Sequence, residues 1–118
     1  MNYEKLKNYC LSKKGVNETY PFDDITTVFK VGSKMFALVN KNSNPLSISL
    51  KCEPFLSQNL RREYSSIKPG YHLNKMHWNT IEIDDFIEEE KVYWLIDLSY
   101  DLVYKGLKNS EKIDISSK

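Results

Sequence analysis

The sequence has little of what builds a secreted, membrane-bound or metal-stapled protein. It holds two cysteines, Cys10 and Cys52, with no CxxC spacing and no accompanying histidine pattern of the zinc-finger type. Neither a disulfide framework nor a structural zinc site is expected, and both thiols are read as reduced. Apolar runs are only a few residues long, far short of the roughly 20 needed to cross a bilayer, and no basic-then-apolar leader opens the chain. The expectation is a cytoplasmic protein without membrane contact. Also missing are a glycine-rich phosphate loop, a GxSxG elbow, a paired-carboxylate motif and an HExxH helix. The net charge of +1 offers no overall attraction to a polyanion.

What is present suffices for one core. With 118 residues, 41% hydrophobic and 28% charged, the chain has the size and apolar content of a single domain. That domain is expected over residues 1–108, with 109–118, which have little to bury, as a flexible tail. Charge is spread unevenly: residues 1–25 balance to 0, residues 81–118 carry −5, and residues 26–80 carry +6. The middle of the chain is basic.

Hydrophobic spacing gives the elements. Asn2 caps a first helix to about Lys14, with Leu6 and Cys10 on its buried stripe and Gly15 as its stop. Strands are expected over Thr26–Val31 and Lys34–Val39, joined at Gly32-Ser33 as a hairpin. A third strand, Leu46–Lys51, alternates Leu46, Ile48 and Leu50 against Ser47, Ser49 and Lys51, so one face is buried and one wet. A helix from Pro54 to Tyr64 follows, then an extended stretch from Ile67 to His72, a turn at Asn74-Lys75, and a strand from Trp78 to Ile83. Asp84 and Asp85 are expected to cap the last helix, about Ile87 to Lys105, whose Val92, Leu95, Ile96, Ser99, Leu102 and Val103 recur at helical spacing. The fold class is α+β: a two-layer domain with an antiparallel five-stranded sheet, helices on one face, in the order α-β-β-β-α-β-β-α.

Six phrases in this frame carry a resemblance: ETYPF (Glu18 to Phe22), VFKVGSKMFAL (Val28 to Leu38), ISLKCEP (Ile48 to Pro54), LRREY (Leu60 to Tyr64), PGYHLNKMHWNT (Pro69 to Thr80) and LSYDLVYKGL (Leu98 to Leu107). In that order they resemble the MmcQ/YjbR family of small bacterial proteins. Lys14 departs from the pattern, which often has proline there. The resemblance implies a fold similar to type III secretion chaperones and related to frataxin-like (CyaY-like) domains, and a DNA-binding role through hairpin wings. It supplies no catalytic residue and no cofactor.

The residues themselves favour binding over catalysis. Lys34, Lys51, Lys68 and Lys75 are candidates for phosphate contact, and His72, Asn74 and His77 are candidate polar readers on the loop between Ile67 and Thr80. The loops Asn40 to Pro45 and Leu73 to His77 are candidate wings. The same lysines equally suit an ordinary solvated face that keeps sheet edges soluble. Tyr71 and Trp78 invite base stacking, but Trp78 opens an alternating strand and is expected to pack. His72 and His77 lack a carboxylate or thiol in the same stretch to complete a metal site. A catalytic pair of Cys52 with His72 or His77 needs a proximity that sequence does not show, and no enzyme activity is expected. The alternative to a DNA partner is a non-enzymatic protein-binding or chaperone-like module acting as a homodimer.

Overall fold

The computed structural model describes residues 1–117. The elements in chain order are α1 (Tyr3–Leu11), β1 (Val16–Thr19), β2 (Thr26–Val31), β3 (Lys34–Asn40), β4 (Ser47–Lys51), α2 (Pro54–Glu63), β5 (Ile67–Pro69), β6 (Trp78–Glu82), α3 (Glu89–Lys105) and α4 (Asn109–Ser116). All strand pairings are antiparallel, in the order β1-β2-β3-β4-β6-β5. The α+β layering stands as read from sequence, with helices over the sheet.

Local chemistry accounts for the element ends. The Asn2 side chain accepts from the Lys5 amide and starts α1, and Glu53 accepts from the Phe55 and Leu56 amides to start α2, with Pro54 at the first helical position. Gly15 and Gly32 both have positive φ, +76° and +59°. Gly32 turns the β2–β3 hairpin, as its sequence position suggested.

Alternation along β2, β3, β4 and β6 sends Phe29, Val39, Ile48, Leu50 and Ile81 into one buried cluster with Leu6 and Cys10 of α1, Leu60 of α2 and Val92, Leu95 and Ile96 of α3. Each such side chain contributes about 1.5–3 kcal/mol on burial. A bulge interrupts the β2–β3 register, where Phe29 faces Ala37 and Lys30 faces Met35, so Phe36 has no partner across the ladder. α3 repairs it: the Ser99 hydroxyl donates to the Phe36 carbonyl at 2.6 Å and accepts from the Lys51 amide at 2.9 Å.

Four expectations need correction. The sheet has six strands, because Val16–Thr19 pairs with β2 through a four-residue strand too short to show a period. The extended stretch from Ile67 is ladder-paired only to Pro69, since the chain turns away at Gly70. Asp84 and Asp85 do not cap α3: Asp84 instead accepts from the Phe86 amide and the Ser66 hydroxyl, and Glu88 precedes the helix without a side-chain cap. The segment from Asn109 is helical over Asn109–Ser116, with Ile115 4% exposed and packed on Gly15, whereas Lys118 lies outside the described residues.

Candidate functional site

The sheet face away from the main cluster carries Thr26, Leu38, Asn40, Ser47, Ser49, Thr80, Glu82 and Lys68, placed side by side by the register. Three loops rise around it and leave a depression of about 780 Å³. One wall is the 20–25 loop with Phe22 and Ile25, one end is Ser43 to Pro45, and the far wall is Tyr71, His72 and Leu73. Of the two loops expected as wings, Asn40 to Pro45 borders this groove, and Leu73 to His77 meets it only at Leu73. Phe22 is 64% exposed and Tyr71 71% exposed.

Each wall is held by polar backbone chemistry. Asp23 accepts from the Ile25 and Thr26 amides and from the Thr26 hydroxyl, a turn that sets Phe22 beside the sheet. Those bonds, the Thr26 amide foremost, hold its carboxyl below the usual carboxylate range. On the opposite wall the Gly70 amide donates to the Trp78 carbonyl at 2.8 Å, and a Cβ at Gly70 would lie 2.8 Å from that of Trp78. Only glycine fits this root. The Tyr71 amide donates to the Thr80 hydroxyl, which is itself 2.9 Å from that of Ser49, so the loop is tied to the groove floor. His72 follows with φ of +59°, a left-handed conformation that histidine adopts more readily than most residues, and its ring lies 4.1 Å from that of Tyr71.

The seven sequence-predicted residues divide. Lys68 and His72 line the groove. Lys68, however, forms an ion pair with Glu82, so its charge is offset. Lys75 donates from Nζ to the Gly70 carbonyl at 2.9 Å. Asn74 is a loop-former, its side chain accepting from the Met76 amide and its carbonyl from the His77 and Trp78 amides. His77 is exposed beside the same root, its carbonyl accepting from the Cys52 amide. Lys51 faces Trp78 across the β4–β6 ladder, and Trp78 is 8% exposed, packed as expected. Lys34 stands apart: at the β2–β3 hairpin it reaches toward the helical layer and donates to the Gly106 carbonyl at the end of α3, whereas Lys51, close to it in register, lies on the Ser47–Ser49 side of β4.

Sequence reasoning overlooked Arg61. Its guanidinium donates to the carbonyls of Lys75 and Trp78 and to the Asn79 side chain at 2.7 Å, bracing the loop from α2. Its neighbours on the helix gave no sign of this, because the partners lie 14 to 18 residues away. Phe22 and Ile25 were also overlooked as a wall, although an aromatic between Pro21 and Asp23-Asp24 is an exposed position by its flanks.

Two charge patterns result. At the loop root Lys51, Arg61 and Lys75 enter no ion pair among the described residues, and Glu53, next to Cys52 in the chain, is spent on the α2 amides. In the groove Asp23 and Glu82 outnumber Lys68. At the other wing Lys41 lies over the Tyr20 ring, 4.6 Å from its centroid. The Cys52 thiol is pushed up by burial, with a lesser opposing pull from Ser57, so it lacks the thiolate character a nucleophile needs. Among the described residues no group of three or more His, Cys, Asp or Glu is placed to hold a metal, and no helix is long and apolar enough to cross a membrane.

The family model described as YjbR matches residues 11–102. "Uncharacterized protein YjbR" of Escherichia coli strain K12 is 36% identical over 100 residues, 85% of either chain. "Uncharacterized protein YbdF" of Escherichia coli O157:H7 is 36% identical over 110 residues, 93% of this chain and 90% of its own. The crystal structure of Deinococcus radiodurans protein DR2400 superposes with a TM-score of 0.91 at 39% identity, covering 98% of this chain and 88% of the other. A Pseudomonas syringae protein superposes with a TM-score of 0.75 at 27% identity, covering 86% and 98%.

Proposed function

This chain belongs to the YjbR family, and from that premise we propose that it is a non-enzymatic, cytoplasmic nucleic-acid-binding domain, with DNA as its partner, that meets phosphates at the root of the 70–77 loop. The observation that carries the reading is the trio Lys51, Arg61 and Lys75, three cations without a carboxylate partner around a loop that also presents His72 and His77. Neutral carbonyls orient Arg61 and Lys75 but leave their charge uncompensated, which is the condition for attracting phosphate and releasing counterions. Lys34 and Lys68 drop out of the contact set, the first by position and the second by its pairing with Glu82.

Fluorescence anisotropy of labelled DNA from low to physiological salt tests it. Lys51→Ala should weaken binding and reduce the slope of log K against log salt by about 0.7–0.9, the loss of one phosphate contact. Lys34→Ala should leave the slope unchanged. Absence of binding at low salt with the fold intact, or equal damage from both variants, rejects the reading.

One observation favours a second reading, a protein-binding module acting as a homodimer: Phe86 (77% exposed) and Trp94 border a shallow hollow with Tyr64 and Lys91 on the helical side. Sedimentation of the same preparation reads it, through a dimer that Phe86→Asp disperses.

A further inference from the structure

We infer that the groove on the open sheet face receives unpaired bases, so that the domain prefers single-stranded to duplex nucleic acid; this rests on the nucleic-acid reading above. The groove shares Tyr71 and His72 with the cationic loop, so a strand held by phosphate at the loop root passes directly along its wall. Its own charges are largely offset. Lys68 and Glu82 pair with each other, and the Asp23 carboxylate is held by the Ile25 and Thr26 amides. Phosphates are therefore drawn to the loop root rather than to the groove, and what the groove can take from the same ligand is its uncharged part.

The groove suits that part. Phe22 and Tyr71 stand on opposite walls with most of their surface exposed, and every base offers a π-face to such rings regardless of sequence. Between them the Ser47, Ser49 and Thr80 hydroxyls, already bonded to Ser43, to each other and to the Tyr71 amide, keep spare lone pairs that can accept from base edges. A duplex cannot use these features, because its bases are stacked inside and unavailable to the rings. Phe22 has no place in the buried cluster, so its exposure is not a by-product of core packing.

The test compares a labelled mixed-sequence single strand with its own duplex by anisotropy, for the wild type, Phe22→Ala, Tyr71→Ala and Tyr71→Trp. The single strand should bind about fivefold or more tighter than the duplex, and each alanine variant should lose about fivefold or more on the single strand alone, the usual effect of removing one stacking ring. Tyr71→Trp should retain the wild-type affinity, which separates stacking from loop structure. Equal affinity for the two forms, or aromatic variants that leave single-strand binding untouched or weaken both forms alike, overturns the inference while leaving the DNA reading standing. Failure to bind either form removes both.

Discussion

Ser99→Ala tests how α3 holds the sheet beneath the candidate site. The hydroxyl is fully buried and joins two backbone groups that no strand serves: the Phe36 carbonyl at the β-bulge and the Lys51 amide at the end of β4. Alanine removes both bonds and leaves a buried acceptor and a buried donor unpaired. Each costs about 1–3 kcal/mol, so the loss should be roughly 2–6 kcal/mol, a large share of the 5–15 kcal/mol typical of a domain. Urea unfolding followed by circular dichroism should show a midpoint lowered by at least about 1 M at unchanged slope. Because this amide belongs to Lys51, the DNA binding proposed for that residue should weaken in parallel. A loss below about 0.5 kcal/mol, within the range of an ordinary surface substitution, would refute the assignment of Ser99 as the element that satisfies the bulge.

Two further outcomes follow from burial. Ile115→Ala should cost about 2–4 kcal/mol, measured by the same urea unfolding, because the side chain is buried against Gly15; unchanged stability would restore a frayed tail after residue 108. Burial pushes the Cys10 thiol up to about 12, so at pH 8 it should resist iodoacetamide until the chain unfolds. The folded pKa lies above the unfolded value near 9, so this group's contribution is complete below pH 9 and falls by about 1.4 kcal/mol per pH unit from there to about pH 12. Cys10→Ala should remove that part of the alkaline slope, and a slope identical to wild type would show the thiol is not buried in solution.

The parts of the fold visible in sequence were those in which one period runs long enough to dominate. α3 is amphipathic over 17 residues, and the β4 alternation of Ile48 and Leu50 against Ser47 and Ser49 predicted its two faces. β1 escaped because Val16–Thr19 is too short for a pattern, and α4 because a single buried residue, Ile115, anchors it. Ser99 was legible only as a member of the apolar stripe of α3. That a polar residue there must have buried partners follows from its position, but not which partners.

The candidate site shows the same division. Sequence by itself determined the family, the α+β class, the packed Trp78 and the concentration of cations between residues 26 and 80, because composition, periodicity and local motifs are properties of neighbours along the chain. Only the tertiary structure decided which cations act together. Coulomb interactions depend on distance in space, and folding sent Lys34 to the end of α3, paired Lys68 with Glu82, and brought Arg61 to Lys75 across 14 residues. The groove between Phe22 and Tyr71 has no counterpart in sequence at all, since its walls come from loops 49 residues apart that meet only when β2, β3, β4 and β6 lie side by side.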